Sequence, residues 1–158
     1  MKDNIDVIII GAGIAGITTA YYLQKNFPDI RYKILDSRSS AGGTWDQMKF
    51  PGVRADNDMY TYGFSFNPWN GSIIGKGSDI RDYINQTAEK FKIKKNIIFN
   101  TQVSELSWKD SQWTTKTDNK NYTSQYVICC TGSRDRDNPH QPKFKGENKY
   151  KGKIVHTQ

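Results

Sequence analysis

Hydrophobic positions along this chain follow two periods, and the switch between them marks out the first elements. Residues 5–10, IDVIII, form a β-branched run that stops abruptly at Gly11. Such a run suits a central parallel strand buried on both faces. From residue 14 to about residue 26, Ala15, Ala20, Tyr21 and Leu23 predict a helix. Pro28 closes it, because a proline ring disfavours helical backbone just before it. Residues 32–35 give a second strand, so strand, glycine turn, helix and strand make a βαβ unit within the first 36 residues.

The periodicity then fades. Residues 36–77 are rich in Gly, Pro, Asn, Ser and aromatics, and a loop of that length inside a compact domain is usually functional. Residues 79–91 resume a helical pattern through Ile80, Tyr83, Ile84, Ala88 and Phe91, with Ser78 as the expected cap. A strand follows at residues 97–99. Residues 103–108, 113–116 and 122 onward, punctuated by Lys109-Asp110-Ser111 and Asp118-Asn119, predict a small antiparallel meander. Residues 126–130 form another short strand that stops at Thr131-Gly132. Residues 133–153 are polar and basic, contain Pro139 and Pro142, and are expected to be mostly loop. The expected fold class is α/β, a Rossmann-like domain with a parallel sheet and a small antiparallel β-meander.

Composition narrows this picture. A chain of 158 residues suits one domain spanning 1–158. The net charge of +7 would fit a nucleic acid, an anionic surface or a phosphate-rich cofactor. Lys92, Lys94 and Lys95, with Lys143, Lys145, Lys149, Lys151 and Lys153, are scattered as on a solvated face. No run approaches the roughly 20 apolar residues of a membrane span, and residues 7–10 are too few for a signal-peptide core; the expectation is a cytoplasmic chain without membrane or nucleic-acid partners. Cys129 and Cys130 are adjacent, so on a strand they point to opposite faces and are expected to be buried reduced thiols. No metal site is expected.

The candidate chemistry begins at Gly11-Ala12-Gly13-Ile14-Ala15-Gly16, a GxGxxG between a buried strand and a helix. Gly11 permits the tight turn, Gly13 lets backbone approach a pyrophosphate, and Gly16 lets the helix pack on the strand. The first turn of the helix, from Ile14 and Ala15, offers unpaired N–H donors to phosphates. Asp36 follows twenty residues beyond Gly16, at the end of the second strand, where a carboxylate can accept from ribose hydroxyls. The chain does not then enter another helix but runs through Gly42-Gly43-Thr44-Trp45. A glycine pair there suits a loop returning to the cofactor, with a hydroxyl and a flat apolar ring; an ordinary exposed glycine loop is the alternative.

Taken together, these motifs resemble the class B flavoprotein monooxygenases, which include flavin-containing and Baeyer–Villiger monooxygenases. The resemblance spans essentially the whole chain: GAGIAG at 11–16, Asp36, GGTW at 42–45, FPGVRADNDMYTYGFSF at 50–66, ICCTGS at 128–133 and YKGKIVHT at 150–157. It implies an FAD-binding domain, the N-terminal part of a longer fold whose NADPH-binding domain is absent. By the same resemblance Gly11, Gly13 and Gly16 hold the FAD pyrophosphate, and Asp36 holds the adenosine ribose. Thr44, Trp45, Asp56 and Tyr62 lie along the flavin, Val103 meets the adenine, and Thr131 and Gly132 close the domain beneath the cofactor. Arg54-Ala55-Asp56 resembles a segment that brings a carboxylate, a catalytic candidate, near the flavin ring; a surface Asp56 paired with Arg54 is the plain alternative. His156, in the fingerprint beginning at Tyr150, is implied to be interdomain or NADPH-linked. The similar start at Phe144-Lys145-Gly146 has no histidine at the required distance.

The implied reaction is oxygenation of a ketone or soft heteroatom, with small-molecule substrate, O2, NADPH and FAD, through a peroxyflavin. NADPH reduction requires a second dinucleotide fold, and no second GxGxxG follows Gly16; Gly75-Lys76-Gly77 is better explained as a helix-capping loop. Alternatives are a non-catalytic FAD-binding fragment dependent on a separate chain carrying the NADPH domain, another FAD-dependent oxidoreductase, and, more remotely, a basic nucleic-acid binder.

Overall fold

The structure, a computed structural model, describes residues 5–133 and 140–156. Its frame is a four-stranded parallel sheet in the order β3-β2-β1-β7, built from β1 (Val7–Ile10), β2 (Tyr32–Leu35), β3 (Ile97–Ile98) and β7 (Tyr126–Cys129). The β-branched run takes an inner position, with Val7 to Ile10 pairing Tyr32 to Leu35 on one side and Tyr126 to Cys129 on the other. A strand flanked by strands and covered on both faces has no polar face to show, which is why its pattern is continuous rather than alternating.

Each face is covered by a different layer, and successive side chains divide between them. Val7, Ile9, Tyr32, Ile34 and Ile97 point to the helical layer. There they meet Ile17 and Ala20 of α1 (Ile14–Asn26) and, with Ile93 nearby, Ile80, Ile84 and Ala88 of the helix Gly77–Lys90. Ile8, Ile10 and Leu35 point the other way, onto Val103, Leu106 and Tyr122. Those three belong to the antiparallel meander β4 (Val103–Lys109), β5 (Gln112–Thr117) and β6 (Asn121–Ser124). Ile8, Ile9, Ile17, Ile34, Ile80 and Ile84 are fully buried, each contributing about 1.5–3 kcal/mol relative to exposure. The α/β class and the separate meander are therefore as the sequence implies.

α1 ends where expected: Phe27 caps it, donating its amide to the Leu23 carbonyl at 2.8 Å, and Pro28 follows. The stretch 36–77 departs from expectation, because it holds two single-turn helices, α2 (Thr44–Gln47) and α3 (Met59–Tyr62). Asp58 caps α3 by accepting from the Thr61 amide at 2.8 Å. Beyond α3 the Tyr83 hydroxyl accepts from the Phe64 amide and donates to the Asn67 carbonyl, while Phe66 stacks on Tyr21 with centroids 3.7 Å apart. The segment is thus fastened to both long helices rather than loose.

Two further expectations are corrected. α4 (Gly77–Lys90) starts two residues earlier than its hydrophobic pattern, with Lys76 at the N-cap, so Ser78 lies inside the first turn and donates to Asp79 instead of capping. Cys129 is exposed and Cys130 half-buried, both as free thiols, because β7 lies at the edge of the sheet, and the edge leaves the strand end uncovered. Of the tail read as loop, residues 134–139 lie outside the described residues, and residues 140–156 contain one 3-10 turn, Glu147–Lys149. No helix among the described residues is long and apolar enough to cross a membrane.

Candidate cofactor-binding site

All four parallel strands end on the same side, and there the chain turns away from the sheet at Gly11, Asp36, Phe99 and Cys130. The space left outside these carboxyl ends is a cleft of about 640 Å³, within the range of small-molecule and cofactor sites. It lies where ligands bind in open α/β sheets.

The floor is the GxGxxG turn. Gly11 has φ of +105°, and a β carbon there would stand 2.4 Å from the Cys130 carbonyl oxygen; only glycine fits between β1 and the end of β7. Gly16 is buried, and a β carbon on it would stand 1.9 Å from the Gly11 oxygen. It packs α1 against the turn and does not line the cleft, unlike Gly11, Gly13, Ile14 and Ala15. Gly13 is the N-cap of α1 and brings no side-chain cap, so the first-turn amides are left to point into the cleft with the positive end of the helix dipole.

The second glycine turn folds onto the first. Gly42 donates its amide to the Ala12 carbonyl at 3.0 Å. Gly43, with φ of +56°, comes so close that a β carbon on it would stand 2.9 Å from Gly13 Cα. This contact starts α2 at the cleft rim and sets Thr44 and Trp45 into the lining. Tyr62 of α3 completes that wall, its hydroxyl accepting from Trp45 Nε1 at 3.1 Å.

Asp36, nearly buried at the end of β2, closes the opposite side. Its Oδ2 accepts from the Ala12 amide at 2.6 Å and its Oδ1 from the Arg38 amide at 2.8 Å. A carboxylate offers about four acceptor positions, so two remain for a ligand's hydroxyls. The Asp36 carbonyl also holds the Thr101 amide at 2.9 Å, which places Val103 on the lining beside it. Thr131 and Gly132, past β7, form the last edge.

Two predicted residues stand apart. Asp56 is exposed and does not line the cleft, and among the described residues it makes no ion pair with Arg54. His156 is exposed and also away from the cleft, while Thr157 lies outside the described residues. Donors from a helix N-terminus, a glycine pair that lets backbone reach the ligand, and a carboxylate at the end of the next strand suit a dinucleotide.

Comparison with known proteins decides the family: residues 8–158 match the model described as "Pyridine nucleotide-disulphide oxidoreductase". The chain belongs to that family. Among curated relatives, the FAD-containing monooxygenase EthA of Mycolicibacterium smegmatis is 39% identical over all of the chain and 34% of its own length. The probable FAD-binding monooxygenase AlmA of Acinetobacter sp is 35% identical, again over all of the chain and 33% of its own length. Among solved structures, an oxidized steroid monooxygenase bound to NADP superposes with a TM-score of 0.80 at 27% identity, over 96% of this chain and 30% of that one. The chain thus spans about a third of the length of the curated relatives it matches. Despite the family's name, its two cysteines form no CxxC pair and are free.

Sequence reasoning missed several residues that line the cleft: Arg38, Gln47, Thr101, Gln102, Cys129 and Cys130. Cys129 and Cys130 were legible as a strand end and could have been assigned to the rim by analogy with Gly11. Arg38 carried no local signal, because its partners belong to the single-turn helix α2 and its N-cap, an element too short to show a period.

Proposed function

We infer that this chain is the FAD-binding portion of an NADPH- and O2-dependent flavin monooxygenase that oxygenates a ketone or a soft heteroatom. The observation that carries the reading is the closure of Gly43 on Gly13 beside Asp36, which makes one continuous cleft from a helix N-terminus to a carboxylate. The names of the relatives, FAD-containing and FAD-binding monooxygenases, supply the cofactor and the reaction class.

In this reading the amides of Ile14 and Ala15 bind the pyrophosphate, with Gly11 and Gly13 giving it access. Asp36 accepts from the adenosine ribose, and Val103 lies toward the adenine. Thr44, Trp45 and Tyr62 line the flavin half, and Thr131 and Gly132 lie beneath it. FAD, when bound, supplies the redox and oxygen chemistry; the protein binds it, orients it and excludes water from it. NADPH needs a binding domain beyond this cleft, in the same polypeptide or in a separate chain, and Asp56 and His156 would act on the surface facing that domain. A cytoplasmic setting, where NADPH is supplied, suits the reading.

The test is competition. FAD binding, followed by the quenching of flavin fluorescence, is expected to be displaced by ADP, which matches the Asp36 end, and far less by FMN, which lacks the adenosine. Efficient displacement by FMN with no effect of ADP would contradict the assignment. NADPH added anaerobically to the FAD-loaded chain is expected to leave the flavin oxidized, and rapid bleaching would overturn the need for a further domain.

A further inference from the structure

Arg38, on the cleft lining, ties the end of β2 to the second glycine turn and α2. Its backbone amide donates to Asp36 Oδ1 at 2.8 Å, and its carbonyl accepts from the Asn100 amide at 2.9 Å. Its guanidinium reaches across the cleft: Nη1 donates to the Gly43 carbonyl at 3.0 Å and Nη2 to Gln47 Oε1 at 2.8 Å, with Asp46 Oδ2 at 3.6 Å from Nη1. The side chains of Arg38 and Asp46 are each only 15% exposed, so the pair is shielded from the screening that weakens surface ion pairs.

The Gly43 carbonyl that Arg38 holds also accepts from the amides of Asp46 and Gln47, at 3.2 and 3.1 Å. It is therefore the anchor of α2, and α2 is a single turn, too short to be stable alone. Gly43 is at the same time the residue pressed against Gly13. The planar guanidinium binds two acceptors at fixed spacing, a geometry that a lysine ammonium cannot reproduce.

We propose that Arg38 is a positioning residue, a clasp that holds the Gly42–Gly43 turn against Gly13 and so preorganises the cleft for the cofactor's pyrophosphate. This rests on the FAD reading above. The side chain acts through Gly43, Gln47 and Asp46, and its effect on the ligand is to set the distance between the two glycine turns before the ligand arrives. A preformed cleft binds more tightly because less ordering remains to be done on binding.

The test combines Arg38→Ala, Arg38→Lys and Asp46→Ala, the last chosen because Asp46 does not line the cleft. FAD affinity is expected to fall roughly 10-fold or more in Arg38→Ala, the scale of charged hydrogen bonds, with little rescue in Arg38→Lys. Asp46→Ala is expected to cost less, and to cost nothing further in the Arg38→Ala background. Hydrogen exchange without any cofactor gives an independent readout: the amides of Asp46, Gln47 and Met48 are expected to exchange faster in Arg38→Ala while those of β1 are unchanged. Faster exchange throughout the chain, with FAD affinity preserved, would make Arg38 an ordinary stabilising residue and overturn the proposal, as would full rescue by lysine. If the unaltered chain binds no FAD, the functional reading fails by itself, and the exchange experiment still decides whether the clasp exists.

Discussion

Gly43 and Gly13, thirty positions apart in sequence, meet backbone to backbone: a β carbon on Gly43 would stand 2.9 Å from Gly13 Cα. Each lacks a side chain where the other needs the room, so the second glycine turn is part of the site and not a surface loop. Gly43→Ala therefore faces both a steric conflict and a positive-φ backbone that side chains rarely adopt, the latter costing on the order of 1–3 kcal/mol. Gly52→Ala is a useful control, because Gly52 also has positive φ, at +80°, but has nothing within 4 Å of its β position. Both variants are expected to lose stability in urea unfolding, and only Gly43→Ala is expected to weaken FAD binding. Equal FAD affinity in the two would separate the turn from the site.

Asp36 serves the fold as well as the ligand. It accepts from the amides of Ala12 and Arg38, so Asp36→Ala strands two donors, each worth about 1–3 kcal/mol if left unsatisfied. Denaturant unfolding without cofactor is expected to show a loss on that order, and FAD titration an additional loss of affinity. Asp36→Asn can replace one acceptor but turns an NH2 toward the second amide, so it should rescue little. A variant that keeps full stability and loses only FAD would show that the backbone contacts contribute nothing.

Thr115, at the centre of β5, has a fully buried hydroxyl without a hydrogen-bond partner among the described residues. Valine has nearly the same shape and no unsatisfied oxygen. Thr115→Val is expected to leave stability unchanged or raise it by about 1 kcal/mol in urea unfolding. A clear loss would mean that the hydroxyl is bonded, through a buried water, between sheet and meander.

The two thiols should separate in alkylation. Burial pushes the Cys130 thiol up, against a smaller opposing effect of its contact with Thr19, so at pH 8 less of it is thiolate than in an open thiol. Only the thiolate reacts. Iodoacetamide followed by peptide mapping is expected to modify Cys129, which is exposed, before Cys130, with the Cys130 rate still climbing at higher pH. FAD should slow the reaction at Cys129, since that residue lines the cleft. Indifference to FAD would move the ligand away from the end of β7.

Much of this was legible because it is local. IDVIII, GAGIAG and the acid at the end of β2 declare strand, turn and helix through side-chain branching and the lack of a β carbon, and the meander shows through its Lys109-Asp110-Ser111 and Asp118-Asn119 turns. α2 and α3 were hidden because four residues cannot display a period of 3.6. Ser78 looked like a cap only because the helical pattern starts at residue 79, whereas α4 begins with Gly77. Arg38 was invisible for a different reason: its guanidinium binds residues five and nine positions ahead across an irregular turn, a spacing that belongs to no regular element. The exposure of Cys129 followed from sheet order, which puts β7 at an edge, and strand order is not written in any one strand.

The most direct test of the account is the visible absorption spectrum of the purified chain after mixing with FAD and passage through a desalting column. Retained flavin absorbance near one equivalent, lost when Gly13 is replaced by a bulky residue such as leucine, is the expected result. A folded chain that emerges colourless, or one that retains flavin equally well with Gly13→Leu, would contradict the assignment of this cleft to FAD.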